Sequence, residues 1–161
     1  MKLIFVLSAL LGNSLLFAQT LNWNTVSYTT GSLSTNFGTI GSPATAVSLN
    51  ITGSTAQING SFPIKYIANP PGTANDCSVN CALRSSITYT TLAQSTIYTF
   101  TFSPAVTGLS FNLYDIDGDN TNGDQAVVTA SGSSAQNITM TSLDVGGPTV
   151  TGSGTTAATV R

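Results

Sequence analysis

From residue 20 onward, apolar and polar positions alternate in short runs, which is the period of a half-buried strand and not of a helix. Val47, Leu49 and Ile51 fall on one side of AVSLNIT, and Tyr98, Phe100 and Phe102 on one side of TIYTFTF. In GLSFNLYD, Leu109, Phe111 and Leu113 share a side, with Ser110, Asn112 and Tyr114 on the other. Further short runs at 22–30, 56–60, 64–67, 86–91, 125–130 and 136–142 are each bounded by turn-forming Gly, Pro, Asn or Asp. Only 75–84 offers a helical turn. Eight or nine short strands predict an all-β fold, an antiparallel β-sandwich of jelly-roll or Ig-like type. Residues 149–161, TVTGSGTTAATVR, keep Thr/Val alternation to the end without a closing turn. The sandwich therefore reads as lacking its last strands.

The first eighteen residues follow a different pattern. Met1 and Lys2 precede an apolar run from Leu3 to Leu11, a polar break at Gly12-Asn13-Ser14, and Leu15-Leu16-Phe17-Ala18. A charged start, a short apolar region and a small residue before the cut form a secretory signal peptide, too short and interrupted to span a bilayer. No Lys or Arg flank follows Ala18 to stop transfer. The expected organisation is a signal peptide over 1–18 and one β-sandwich module over 19–161, secreted or at the cell surface, with no membrane span after signal removal.

Composition narrows the chemistry. Of the 161 residues, four are Lys or Arg, six are acidic and none is His. All six acids are aspartates, so general acid/base catalysis by His or Glu is unavailable. A Ser nucleophile would need Lys65 as its base, and four cations cannot neutralise a run of phosphates. The expectation is a non-enzyme that binds no nucleic acid. Ser and Thr supply 44 of the 143 residues left after cleavage, and Thr recurs between apolar residues and not in low-complexity blocks, as in folded β-structure.

Four of the six acids crowd into Asp115-Ile-Asp-Gly-Asp-Asn-Thr-Asn-Gly-Asp124. Asp115, Asp117 and Asp119 alternate, so an extended or gently looped backbone brings their carboxylates toward one centre, with Asn120, Asn122 or carbonyl oxygens beside them. Hard oxygen donors without His or Cys point to Ca2+, with Asp115, Asp117, Asp119 and Asp124 as metal ligands. The opening matches the first three ligand positions of an EF-hand loop. The rest departs from it: glycine stands at Gly118, position twelve is Ala126, and no helices flank the loop. The competing reading is a solvated turn, since Asp, Asn and Gly are also the residues of tight hairpins.

Cys77 and Cys81, four residues apart in an exported chain, read as a small-loop disulfide. Trp23, the single tryptophan, reads as a core or edge anchor. Asn50, Asn59 and Asn137 begin glycosylation sequons of a kind that arises by chance in a Thr-rich chain.

Three segments, NWNTVSYTTGSLSTNF, FTFSPAVTGLSFNLYDID and DQAVVTASG, together resemble the β-sandwich modules of large secreted surface proteins of Bacteroidota and similar bacteria. The resemblance covers most of 20–142 and rests mainly on the string from Phe102 to Asp117. It implies a non-catalytic unit of a multi-module protein, with Asp115, Asp117 and Asp124 as the matching acidic positions and further strands following 136–142. The expected function is thus an exported surface module, adhesive or structural, with a calcium-stabilised acidic loop. Its expected partners are a surface polymer, a glycan or other protein modules. Two other readings stay open: a carbohydrate-binding module stacking sugars on Trp23, Tyr28 or Tyr114, and a partial reading frame without independent function.

Overall fold

The strongest alternation in the chain becomes its two best-packed strands, β3 (Thr45–Gly53) and β6 (Thr96–Ser103). They pair antiparallel, with Val47 opposite Phe102, Leu49 opposite Phe100 and Ile51 opposite Tyr98. Val47, Leu49, Ile51 and Tyr98 are all at most 3% exposed. Burial of each such side chain stabilises the fold by roughly 1.5–3 kcal/mol, so these rungs are the heart of the core.

The computed structural model describes residues 3–9, 20–67, 81–106, 108–113, 125–132, 134–142 and 149–161, the side chains of 3–9 and Ile67 excepted. Around β3 and β6 it adds β1 (Leu3–Ala9), β2 (Ser34–Ile40), β4 (Ile64–Ile67), β5 (Cys81–Arg84), β7 (Ala126–Ser131), β8 (Val150–Thr151) and β9 (Ala157–Val160). Seven strands form one sheet in the order β2-β3-β6-β1-β7-β9-β8, and β4 and β5 pair antiparallel as a second. The fold is almost all β and sandwich-like, and it is not a closed barrel. Leu83 of β5, with Ile58 and Ile87 of an isolated bridge, packs over Leu49, Ile51 and Tyr98 and so covers the inner face of β3 and β6.

Sequence reading and structure agree on 64–67, on 125–130 within one residue, and on the two central strands. Elsewhere local hydrogen bonding overrides alternation. The expected strand at 22–30 is a turn: the Asn22 carbonyl accepts from the amides of Thr25 and Val26 at 3.0 and 3.1 Å, and its side-chain oxygen accepts from the Asn24 amide at 2.9 Å. The run 56–60 is a 3-10 turn over Thr55–Gln57 followed by one bridge from Ile58 to Ile87. That bridge is also all the ladder found in 86–91, and Ile138↔Thr155 is all that is found in 136–142. Over 108–113 the chain joins no strand ladder, with Leu109 and Phe111 39% and 46% exposed, so the core face expected there is not formed. Of the helical turn expected around 75–84, residues 81–84 are strand β5 and 75–80 lie outside the described residues.

Alternation does not mark strand β2, and β8 and β9 lie in the 149–161 stretch whose Thr/Val alternation reads as an unclosed end and not as strands. In β2 the register with β3 shifts between Asn36 and Thr39, a one-residue bulge built on Gly38 at φ +75. At the other end, β9 pairs antiparallel with β7 and carries the short β8 on its outer edge. The apolar run read as a signal peptide supplies β1, which pairs parallel with both β6 and β7. Ala18 lies outside the described residues.

Candidate functional site

The β2–β3–β6 corner has two unlike faces. Its inner rungs are mostly apolar, whereas the rungs that alternate with them are small and polar: Ser34–Asn50–Thr99 run across three strands, and Asn36–Ser48–Thr101 run beside them. Ser34, Asn36, Asn50 and Thr101 are exposed, while Ser48 and Thr99 are half-buried. Strand pairing spaces neighbouring groups about 4.8 Å apart across the sheet and about 6.8 Å apart along it. A shallow depression of about 340 Å3 lies between Ser34, Thr35, Asn36, Ser48, Leu49 and Asn50. No charged side chain is in this array, so it can exchange neutral hydrogen bonds with a hydroxyl-rich surface and has nothing to attract an ion.

The bulge makes the array. The Gly38 amide donates to the Asn36 side-chain oxygen at 2.8 Å, closing a local turn inside the strand. This lets Phe37 and Ile40, three residues apart, both pack against the core while Ser34 and Asn36 stay on the outer rungs. The sequence sign of it is Asn followed two residues later by Gly, with the apolar Phe37 and Ile40 three residues apart.

Trp23 and Tyr28 do not form a solvent-facing row. Trp23 is half-buried, standing edge-on to Phe37 at 5.4 Å and 85° and to Tyr28 at 6.3 Å and 74°. Such edge-to-face pairs are packing geometry, since ring edges meet ring faces and leave no shared flat platform. Tyr28 is half-buried, its hydroxyl donates to the Ser32 carbonyl, and burial, with a smaller contribution from Tyr98, pushes its phenol up to about 12. Tyr114 lies outside the described residues, as do Asp115, Asp117, Asp119 and Asp124. Among the described residues no group of His, Cys, Asp or Glu is placed to hold a metal ion.

The cations near β4 and β5 have local roles. Lys65 donates from Nζ to the Val26 carbonyl at 2.9 Å, tying β4 to the Asn22 turn. The Arg84 guanidinium lies 4.5 Å from the centre of the Tyr66 ring and 5.7 Å from that of Phe62. Cys81 is disulfide-bonded, and its amide donates to the Asn24 side-chain oxygen at 2.8 Å. Cys77, the chain's other cysteine, lies outside the described residues. What the sequence and structure define together is a sandwich-like all-β chain with a flat, uncharged polar face among the described residues. Searches among protein families, curated proteins and solved structures found no match to it.

Proposed function

We propose that this chain is an exported, non-catalytic surface module that adheres through its uncharged polar face. The observation that supports this is the pair of Ser/Asn/Thr rungs crossing β2, β3 and β6. A flat array of neutral donors and acceptors, each worth about 0.5–1.5 kcal/mol net, gives weak contacts that become useful when modules repeat. Its natural partner is a hydroxyl-rich surface polymer or glycan met face-on. The edge-to-face packing of Trp23 favours this over a module that stacks sugars on a tryptophan.

In the same reading, Cys77 pairs with Cys81, and Asp115, Asp117, Asp119 and Asp124 bind Ca2+, which relieves the repulsion between clustered carboxylates and orders the strand connection. The resemblance read from the sequence, to surface modules of Bacteroidota, accords with such a role.

The test is retention of the full chain on immobilised polysaccharides and on bacterial envelopes, before and after Ser34→Lys and Asn50→Lys. Both sites are exposed, so these charges should leave the melt unchanged and reduce retention several-fold. Retention that ignores both charges, or that is absent on every surface, would overturn the adhesive reading. For the loop, calcium should raise the melting temperature of the wild type and leave Asp115→Asn/Asp117→Asn unmoved, because only binding to the native state stabilises it. A wild-type melt indifferent to calcium and chelator reduces the loop to a turn.

A further inference from the structure

Strand β1 joins the sheet. It pairs parallel with β6 from Leu3↔Thr96 to Ala9↔Phe102, and parallel with β7 from Leu3↔Ala126 to Ser8↔Ser131. On the far side of β6 stands β3, and on the far side of β7 stands β9, while β6 and β7 do not pair with each other. Among the described residues, β1 is therefore the only ladder between the β2–β3–β6 half and the β7–β9–β8 half. The same seven residues, LIFVLSA, lie within the apolar run from Leu3 to Leu11 of the expected signal peptide.

Cleavage after Ala18 removes that strand. It leaves two facing strand edges two spacings apart, about 9.6 Å, which is too far for one to bond the other directly. These edges are lined by core positions: Thr96, Tyr98 and Phe102 on β6, and Ala126 and Val128 on β7, are all at most 7% exposed. Unpaired N–H and C=O groups beside such positions are costly to leave unsatisfied, and an open strand edge is a template for another strand.

Resting on the export reading, we propose that the slot between β6 and β7 is a strand-acceptor site, filled in the processed protein by an apolar strand of another polypeptide running parallel to both edges. This is β-augmentation with two edges engaged at once, so main-chain pairing supplies affinity and side-chain alternation supplies selectivity. The rungs state the chemistry required. The odd positions of the seated segment, Leu3, Phe5 and Leu7, lie in register between Thr96 and Ala126, Tyr98 and Val128, and Phe100 and Ala130. Ser8 lies in register between Thr101 and Ser131. The occupant is thus apolar at alternate positions and small and polar near its end.

The experiment uses the full chain with a site-specific protease sequence placed between Ala18 and Gln19, cut after folding. Amide exchange of 96–102 and 126–131 is followed in the intact chain, after cutting and removal of the leader, and after adding a lysine-tailed LIFVLSA peptide. The expected result is that protection of both strands falls by about a hundredfold when the leader leaves and returns with the peptide, while a peptide carrying Phe5→Asp restores nothing. Persistent protection without the leader, or no recovery with the peptide, overturns the slot. N-terminal sequencing of the exported protein separates the two readings. A start at Met1 sinks the export reading and leaves the slot filled by its own chain, which overturns an outside occupant. A start at Gln19 with no peptide recovery sinks the slot alone.

Discussion

Trp23 stands edge-on to Phe37, the rings 5.4 Å apart and 85° inclined, and this pair locks the Asn22 turn onto the bulged strand β2. Removing the indole should loosen a turn and a bulge together. Trp23→Ala is expected to cost about 2–4 kcal/mol in a urea melt, somewhat below a fully buried tryptophan because the residue is half-exposed, and Trp23→Phe less than half of that. The same residue reports on sugar binding by its fluorescence. Glycans that retain the full chain should leave Trp23 emission unchanged; quenching or a shift on sugar addition would restore the stacking reading.

Gly53 closes the β3–β6 ladder opposite Thr96, and Gly38 opens the bulge; both have positive φ, +84 and +75. Their surroundings differ. A Cβ on Gly53 would lie 2.5 Å from the Ser95 carbonyl oxygen, which the backbone already uses to accept from the Ser54 amide at 2.8 Å. A Cβ on Gly38 meets nothing within 4 Å. Gly38→Ala should therefore cost only the left-handed backbone penalty of about 1 kcal/mol, and Gly53→Ala about 3 kcal/mol or more because strand pairing must shift as well. Equal losses in the two melts would show that the contact with Ser95 carries no weight.

Alternation made the central strands legible because β3 and β6 turn nearly every second residue toward the core, which is the condition under which period two is a clean signal. β2 was hidden by the same physics. Its apolar Phe37 and Ile40 are three apart, and only a bulge lets both reach the core. The opposite error came at 22–30, where Trp23, Val26 and Tyr28 looked like strand residues but the Asn22 side chain and carbonyl captured the amides first. At Leu109 and Phe111 the alternation is genuine, yet 108–113 join no strand ladder among the described residues. For the site, the aromatic candidates were visible as residue types, whereas the polar rungs require knowing which strands adjoin. Ser34 meets Asn50 and Thr99 only through long-range pairing that no local window contains.

Thr96 is fully buried on the core face of β6, and its hydroxyl oxygen has no hydrogen-bond partner among the described residues. A buried donor left without a partner costs about 1–3 kcal/mol, while an apolar group of the same shape avoids that cost. Thr96→Val should therefore leave the melting midpoint unchanged or raise it by up to about 1 kcal/mol in stability. Thr96→Ser keeps the hydroxyl and loses the methyl, and should be destabilising by about 1 kcal/mol. A loss in the valine variant equal to that in the serine variant would mean that the hydroxyl is bonded in solution.

Alkaline unfolding follows from Tyr98 and Tyr28, whose phenols are both raised from the usual 10 to about 12. For Tyr98 the main cause is burial, the hydrogen bond from its hydroxyl to Ser85 pulls the other way, and Tyr89 adds to the rise. The unfolded chain gives up these protons first. Between pH 10 and about 12 the folded state holds more protons than the unfolded one, so stability is intact below pH 10 and falls as the pH climbs through that window. Tyr98, only 3% exposed, should contribute close to the limiting slope of about 1.4 kcal/mol per pH unit, and Tyr28 a smaller share because it is half in solvent. Urea melts from about pH 9 to about pH 11.5 should be flat at first and then decline, and Tyr98→Phe should remove most of the decline at the cost of a lower plateau, since it gives up the bond to Ser85. A decline that survives unchanged in Tyr98→Phe would place the alkaline sensitivity elsewhere, with Tyr28→Phe the next variant to measure.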